Sequence, residues 1–438
     1  MNTLLLNILR KISTHDRLAG TTSSVVGQRF TSMMLLTMLT YADALALLTA
    51  LDLTPMSEPL PLADAAGRVL AHDIRLANDQ PPFDRATMDG YALCLKPETT
   101  AYTVRGVIYA GSIYPDTLQP GEAVRIMTGA PVPRGTTVVP HELSDRGEHL
   151  VVITDPTARK PDRHIAWRGE DGRAGAVLIK AGTRLSPMAL SVAAMAGAAT
   201  ITVARAPRLA LVTTGDEVGG GGPAGIIDSN GPFLSGFAAS LGLTAVRTHT
   251  SDHVDAVRST LETALKNAEV IVTTGGVSAG AKDLIPAVAA ELGFTVVFHH
   301  LAIQPGKPVL VMKRDHHFLV GLPGNPVSVV ATAHLILLPL LCRLLGAPSP
   351  TWLELPLTAP AENRGQRQLF LPAQFTPGGL APIAWNGSGD LIAAASGDGL
   401  IDLPIGSHLS PGALVRFLPL VGWQPGNSAQ LPDRTPRR

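Results

Sequence analysis

Three glycine-rich loops follow β-branched strands between residues 207 and 328 of the 438-residue chain, and they carry hydroxyl and acidic side chains. Their sequences are TTGDE at 213–217, TTGGVSAGAKD at 273–283 and LPGNPVS at 322–328. Glycines let backbone N–H groups converge, and a helix N-terminus adds partial positive charge, so such loops can bind an anion. A tight turn without ligand explains one such loop equally well. Three loops together, with Lys307 in a fourth, predict a site for a phosphorylated or anionic ligand.

Four carboxylates stand near these loops or in an earlier motif. Glu217 ends the first loop, Asp252 precedes a helical segment, and Asp283 ends the second loop. Asp89 lies in the segment PPFDRATMDGYA at 81–92. Carboxylates can hold a metal ion or position water for hydrolysis. A turn explains Asp89 as well, and Asp252 and Asp283 could serve helix starts, so the sequence leaves these roles open.

The composition excludes several classes of function. Lys plus Arg and Asp plus Glu both number 35, so the net charge is zero and neither nucleic acid nor a membrane is an expected partner. Aromatic residues make up 4%, which disfavours single-strand stacking platforms. Cys94 and Cys342 are the only cysteines, which disfavours a zinc ribbon, an iron–sulfur centre and a disulfide framework and predicts a cytoplasmic location. No P-loop motif follows the strand of the TTGG loop.

Hydrophobic periodicity predicts the elements that position these residues. Leucines at helical spacing predict a helix over 40–51, and short apolar runs between Gly and Pro turns predict a small all-β unit over 101–155. From residue 207 strands alternate with helices, which predicts a parallel three-layer α/β domain with one strand over 294–303. Short strands over 350–420 predict a C-terminal β-barrel-like domain.

The predicted division has four domains and two terminal segments. Residues 1–33 are expected to be a disordered extension, a transit-like peptide, or sequence upstream of a true start at Met33, Met34 or Met38. The domains are a linking domain I (34–80 and 166–206), a small β domain II (81–165), an α/β domain III (207–347) and a β-barrel domain IV (348–422), followed by a frayed tail (423–438).

Eight short motifs occur in one order along most of the chain. They are PPFDRATMDGYA (81–92), IMTGAPVP (126–133), RGED (168–171), TTGDE (213–217), DSN (228–230), TTGGVSAGAKD (273–283), PGKP (305–308) and GLPGNPVS (321–328). Each pattern is weak alone, but their common order is specific. Together they resemble the MoeA-type molybdopterin molybdenumtransferases, the family that includes the gephyrin E domain, over residues 40 to 421.

The resemblance implies an elongated homodimer of four-domain subunits, in which domain III is a three-layer α/β/α molybdopterin-binding domain. The implied reaction inserts molybdenum from molybdate into adenylylated molybdopterin, uses Mg²⁺ and releases AMP. The substrate would come from a MogA-type molybdopterin adenylyltransferase. Apo-molybdoenzymes or their chaperones would be further partners.

The resemblance also assigns residues to the site. Asp89, Glu217, Asp252 and Asp283 would be catalytic, and the last three would also be metal ligands. Gly275, Gly276 and Ser278 would cradle the pterin phosphate, and the Thr128 hydroxyl would contact a ligand. The other substrate-binding residues would be Thr214, Gly215, Asn230, Pro305, Gly306, Lys307, Pro323, Gly324, Asn325, Ser328, Arg367 and Ser388. Molybdate would be handled by Lys307, Arg367 and Ser388.

The molybdate end departs from the commonest family pattern. Gln304 replaces the first lysine of KPGKP, and Pro372 replaces the second of two frequent arginines. His299 and His300 stand near a position where the family often has a lysine. His300 could compensate for the missing positive charge only when it is protonated. The alternative is that both histidines are strand residues without a chemical role. Each lost charged hydrogen bond should cost ~1.5–3 kcal/mol of dianion binding. A non-catalytic molybdopterin-binding scaffold or carrier is therefore the rival function, and insertion of tungstate is a second alternative.

Overall fold

The computed structural model describes residues 38–219, 225–277 and 283–422. The predictions for residues 1–33, for the tail 423–438 and for Ser278 lie outside the described residues. So does the question of a start at Met33 or Met34.

The chain forms two compact units, each with its own core. The smaller unit is Ser57–Ala204, and the larger one contains the described residues 38–56, 205–219, 225–277 and 283–422. A division into two units does not test the boundaries of the four predicted domains, which therefore stay predictions.

Helix α1 (Tyr41–Ala50) is the helix predicted over 40–51. A capping box starts it, because the Asp43 N–H donates to Thr40 Oγ1 (3.1 Å) and the Thr40 N–H donates to Asp43 Oδ2 (3.2 Å). The Tyr41 ring lies edge-on to Phe370, 5.1 Å between centroids. The helix is therefore part of the larger unit.

The smaller unit is mostly β-structure. Its elements are β1 (Ser57–Pro61), β2 (Ile74–Arg75), β3 (Arg85–Ala86), β4 (Gly90–Leu93), β5 (Ala101–Ile108), β6 (Glu122–Ile126), β7 (Thr137–Pro140), β8 (Leu150–Val152), β9 (Ile165–Ala166), β10 (Val177–Ile179), helix α2 (Pro187–Met195) and β11 (Thr200–Ala204). Five strands form one sheet in the order β7-β4-β6-β5-β8, and the pairs β1–β11, β2–β10 and β3–β9 complete the unit. This sheet is the all-β unit predicted over 101–155, with β4 added.

The first part of the larger unit alternates strands and helices. Its elements are β12 (Leu209–Thr214), α3 (Asn230–Ser240), β13 (Ala245–Thr250), α4 (Val254–Asn267), β14 (Val270–Thr274), α5 (Ile285–Glu291), β15 (Thr295–His299), β16 (Ile303–Gln304), β17 (Leu310–Arg314) and β18 (His317–Leu322). Six of these strands form a sheet in the order β13-β12-β14-β18-β17-β15.

This sheet is mixed, so the prediction of an all-parallel sheet is wrong at one strand. Strands β13, β12, β14 and β18 are parallel, whereas β17 is antiparallel to both of its neighbours. Strands β17 and β18 form a hairpin whose turn includes Asp315 at φ +52°, a conformation that aspartate tolerates. The apolar run before Asp315 indicated a further strand, which the sequence analysis did not predict.

The single strand predicted over 294–303 is two strands. His300 has φ +64° and ends β15, which stays in the mixed sheet. The chain then enters β16, where Ile303 pairs in parallel with Gln368 of a different sheet. This break carries the residues after Gln304 away from the α/β sheet toward the C-terminal one.

Both faces of the central parallel strands β12, β14 and β18 are buried, whereas the edge strand β13 is largely exposed. Ala210, Val212 and Ile271 pack in one cluster with Val257 and Leu261 of α4. The alternate residues of β12 and β14 are also at most 4% exposed. Burial on both faces is expected of a sheet between two helical layers.

A long apolar helix follows β18 and consists of α6 (Pro326–Thr332), a π-helical turn (Ala333–Leu337) and α7 (Leu338–Leu344). In the part of the chain that the structure describes, it is the one helix with the length and hydropathy of a membrane span. Its most apolar window is 83% buried inside the protein, so core packing accounts for its composition.

The C-terminal region contributes most of a second large sheet and forms one separate pair of short strands. Its elements are β19 (Leu353–Pro356), β20 (Ala361–Glu362), β21 (Gln368–Thr376), β22 (Gly379–Pro382), α8 (Leu391–Ala394), β23 (Gly399–Leu403), β24 (His408–Leu409) and β25 (Leu414–Pro419). The strand order is β16-β21-β23-β25-β19, with β22 beside β21. The predicted β-rich domain is present, and its closure into a barrel stays a prediction.

His334 in the π-helical turn ties the core helix to the end of the C-terminal sheet. Its ring is 1% exposed and lies edge-on to Phe237, 5.1 Å between centroids. Nδ1–H donates to the Val330 carbonyl (2.7 Å), and Nε2 accepts from the Val421 N–H (2.9 Å). Both nitrogens are therefore used by the neutral ring, and burial lowers the pKa of His334 to about 4.

We predict that His334 makes the protein less stable as the pH falls from 6.5 towards 4. The unfolded chain binds a proton at this residue with a pKa near 6.5, and the folded chain only near 4, so acid favours unfolding. The gap corresponds to about 3 kcal/mol of unfolding free energy. Urea unfolding at pH 7, 5.5 and 4.5 measures it.

The variant His334→Gln should be less stable at pH 7 but lose less stability over the same pH range. His253→Gln, at an exposed position before α4, is the matched control and should keep the wild-type pH dependence. An equal loss of stability in wild type and His334→Gln would contradict this account.

Candidate functional site

The loops predicted to bind an anion meet at one edge of the mixed sheet. Thr274 of β14 pairs with Thr213 of β12 and with Leu322 of β18, so the three strands end at the same level. The Gly275 N–H donates to the Leu322 carbonyl (3.1 Å), and Thr214 Oγ1 donates to the Thr274 carbonyl (3.1 Å). The predicted convergence of the three loops is confirmed.

Gly275 cannot be replaced without moving its neighbour. It has φ +82°, and a Cβ added there would lie 2.8 Å from Thr214 Oγ1. The residue after it, Gly276, also has positive φ. Thr214 and Gly275, two of the predicted substrate-binding residues, are therefore close neighbours. Only glycine fits at position 275 without a shift of Thr214.

The acidic loops are linked by a residue that the sequence reasoning did not select. The Asp252 N–H donates to Asp216 Oδ1 (3.1 Å), and Asp216 lies between Gly215 and Glu217. The structure thus brings the loops of Glu217 and Asp252 together. The position of Asp216 at the end of a buried strand was the available signal.

The predicted metal ligands Glu217, Asp252 and Asp283 do not form a closed metal site. No three His, Cys, Asp or Glu side chains are close enough to hold a metal ion among the residues that the structure describes. Mg²⁺ usually keeps several waters and takes one or two carboxylates plus substrate phosphates. The acidic loops at this edge fit that mode and do not fit a cage made of protein alone.

A second group of contacts joins the PGNP loop to distant segments. Asn230 Nδ2 donates to the Gly324 carbonyl (2.8 Å), and Asn325 Nδ2 donates to Ser388 Oγ (2.8 Å). The Val327 N–H also donates to the Ser388 carbonyl (3.0 Å). Asn230, Asn325 and Ser388, predicted from separate motifs, are thus parts of one hydrogen-bonded arrangement.

Beside this arrangement lies a cavity of about 370 Å³. Nine predicted substrate-binding residues line it, together with three others: Pro305, Gly306, Lys307, Pro323, Gly324, Asn325, Ser328, Arg367 and Ser388, with Gln304, Pro308 and Trp385. The structure therefore assembles the whole predicted molybdate end in one place. Trp385 was missed, and its position three residues before Ser388 was the available signal.

Two basic side chains line the cavity. Lys307 is exposed, and Arg367 is half-buried and held by Nη1 donating to the Ile303 carbonyl (3.1 Å). Pro372 lies in β21 opposite Leu400, so it supplies no cation. Two cations and neutral donors suit a small dianion.

His300 does not replace the lysine that the family pattern leads us to expect. Burial lowers the pKa of His300 below its usual 6.5, and His299 and Lys307 lower it further, although Asp283 acts in the opposite direction. The ring is therefore neutral at neutral pH. The alternative in which His300 compensates by being protonated is disfavoured.

The smaller unit contains the other two predicted residues, and they contact each other. Both the N–H and the Oγ1 of Thr128 donate to Asp89 Oδ1, each at 2.7 Å. These two bonds lower the pKa of Asp89, the backbone bond having the larger effect. The carboxylate is thus held ionised in a fixed orientation, and Thr128 does not simply bond its own loop.

Comparison with known proteins identifies two family regions in the chain. Residues 39–197 match the MoeA N-terminal region (domain I and II), and residues 210–343 match a probable molybdopterin binding domain. The second region contains the mixed sheet and its three loops.

Named relatives and solved structures agree with these matches. The chain is 34% identical over 369 residues to molybdopterin molybdenumtransferase 2 of Mycobacterium tuberculosis, covering 79% of this chain and 90% of that protein. It is 32% identical over 315 residues to the molybdopterin molybdenumtransferase of Haemophilus influenzae, covering 68% and 76%. A structure of the MoeA protein from Pyrococcus horikoshii OT3 superposes with a TM-score of 0.75 and 25% identity, covering 87% of this chain and 100% of that chain.

The order of motifs, the assembled cavity and a similarity that covers 79% of the chain lead to one conclusion. The chain belongs to the MoeA family of molybdopterin molybdenumtransferases.

Proposed function

We propose that this protein inserts molybdenum from molybdate into adenylylated molybdopterin and releases AMP. The observation that carries the proposal is the cavity in which Lys307, Arg367 and Ser388 meet, in the same unit as the TTGG loop. An oxyanion receptor and a phosphate-binding loop on one scaffold are what a reaction between molybdate and a phosphorylated pterin requires.

The glycine-rich loops would bind the pterin substrate. Thr214, Gly275 and Gly276 line the common edge of the parallel strands, where ligands of open α/β sheets bind. Hydroxyl groups and converging amides suit a phosphate. Ser278 would add a further donor, as the resemblance implies.

The cavity would bind molybdate as a dianion. Lys307 and Arg367 provide charge, while Asn325 and Ser388 fix each other through their 2.8 Å hydrogen bond. Molybdate would therefore meet a receptor whose polar groups are already oriented, which reduces the cost of ordering on binding.

The carboxylates would act at the phosphoanhydride. Glu217, Asp252 and Asp283 are the proposed Mg²⁺ ligands, one or two of them binding the ion together with phosphate oxygens. When bound, Mg²⁺ neutralises phosphate charge and so makes AMP a better leaving group. The ionised Asp89, fixed by Thr128, is proposed to orient a polar group of the substrate.

The remaining features of the proposal come from the family. We propose a cytoplasmic homodimer with four-domain subunits and a barrel-like C-terminal domain. A MogA-type adenylyltransferase would supply the substrate, and apo-molybdoenzymes or their chaperones would receive the product.

One observation favours a second function, that of a molybdopterin-binding carrier without catalysis. Gln304 and the neutral His300 leave the cavity with fewer cations than the common family pattern.

Incubation of purified protein with adenylylated molybdopterin and Mg²⁺ separates the two functions. AMP release triggered by molybdate supports the insertase, and pterin binding without AMP release supports the carrier. Repeating the assay with tungstate decides which oxyanion is preferred.

We predict that Asp283→Ala abolishes AMP release while molybdopterin still binds. The substitution removes a carboxylate proposed to act at the phosphoanhydride, and it leaves the Gly275–Leu322 contact of the pterin loop intact. Asp255→Ala, at an exposed position in α4, is the matched control. Unchanged turnover in Asp283→Ala would remove Asp283 from the mechanism.

We predict that Lys307→Ala raises the molybdate concentration for half-maximal turnover. Loss of one charge-assisted hydrogen bond corresponds to a roughly ten- to hundred-fold increase. The KM for adenylylated molybdopterin should stay the same. Lys266→Ala, at an exposed position of α4, controls for loss of one positive charge.

The reciprocal change, Gln304→Lys, adds a cation to the cavity that Gln304 already lines. It should lower the half-saturating molybdate concentration by about ten-fold. If neither variant shifts the molybdate titration, the cavity is not the oxyanion site.

A further inference from the structure

His299, the last residue of β15, reaches the TTGG loop from a different strand. Its Nε2 lies 2.8 Å from the carbonyl oxygen of Val277. A carbonyl oxygen only accepts, so Nε2 carries a proton and donates it to this bond. The neutral and the protonated ring can both make the contact.

Val277 is held in place by its side chain as well as by this bond. The side chain is 1% exposed and packs in the core with Ile285. A Cβ at Gly321 of β18 would lie 2.5 Å from Val277 Cγ1, so this position of β18 must be glycine. At the other end of the turn, the Gly275 N–H is bonded to Leu322.

The Val277 carbonyl has one donor among the contacts that the structure describes, and it is His299. This bond therefore holds the backbone in place where the chain leaves the Gly275–Gly276 turn. Phosphate binding by a glycine-rich turn depends on how the backbone of that turn is oriented.

The same ring connects this loop to the cavity side of the site. His299 stacks on His300, with 3.9 Å between centroids. His300 in turn donates its N–H to the Val309 carbonyl, next to the PGKP segment (305–308). His299 is therefore supported from behind by a second ring, which keeps Nε2 aimed at the loop.

We propose that His299 is a positioning residue for binding of the pterin substrate, acting through its hydrogen bond to the Val277 carbonyl. It touches neither molybdate nor the reacting phosphate and serves to preset the loop. This inference rests on the proposed role of the TTGG loop. It predicts an effect on pterin affinity and none on molybdate affinity.

The test compares two substitutions in the full-length protein. His299→Leu keeps the side-chain volume and removes the donor, whereas His299→Gln places an amide N–H near the position of Nε2. We expect the Kd for molybdopterin, measured by pterin fluorescence, to rise roughly ten-fold in the leucine variant. The glutamine variant should stay within about two-fold of wild type.

His316→Leu is the matched control. His316 belongs to a second stacked pair, with His317 at 4.2 Å, where β18 begins. This control should leave the Kd for molybdopterin unchanged.

Two results would overturn the proposal. One is an unchanged Kd for molybdopterin in His299→Leu. The other is that the leucine and glutamine variants lose affinity to the same extent and also show the same fall in melting temperature. That result would indicate a role of His299 in folding alone.

The binding assay also separates this proposal from the function proposed for the whole protein. If wild type binds molybdopterin without releasing AMP, the insertase function fails and the effect of His299 on Kd is still measurable. If wild type does not bind molybdopterin, both proposals are wrong.

Discussion

The register of the parallel strands is the constraint on which the site depends. Thr213, Thr274 and Leu322 lie side by side, so every loop that follows must begin at the same edge. Both faces of these strands are buried, and a one-residue slip of a strand would turn its core side chains to the wrong face. The hydrophobic core therefore fixes where the glycines and acids lie. Gly275 can bond to Leu322 because packing farther down the strands has already set the alignment.

The cavity depends on a second constraint, the exit of the chain from the α/β sheet at His300. Its positive φ ends β15 and lets Ile303 pair with Gln368 of the C-terminal sheet. That pairing places Arg367 beside the PGKP loop, and Ser388 closes the other side through Asn325. The same backbone turn that builds the cavity leaves the His300 ring half-buried, and this burial lowers the pKa of His300. Lys307 and Arg367 are thus the basic side chains that line this cavity.

Sequence patterns predicted what strong local signals determine. The alternation of strands and helices located the parallel strands, and the glycine loops pointed to the ligand edge of the sheet. The antiparallel β17 was missed because a five-residue strand between two loops has no helix to mark its direction. The grouping of Asn325 with Ser388 and the contact of His299 with Val277 depend on tertiary packing across 63 and 22 residues, which periodicity does not encode. Asp89 and Thr128 could be predicted as site residues but not as mutual partners.

The position of the oxyanion is the most direct test of this account. Crystals of the protein soaked with molybdate can be measured at the molybdenum absorption edge, where an anomalous difference map locates the metal. The account predicts a single peak in the 370 Å³ cavity, within hydrogen-bonding distance of Lys307, Arg367 and Ser388. A peak at the TTGG loop, or an empty cavity under saturating molybdate, would contradict the assignment of this cavity to the oxyanion.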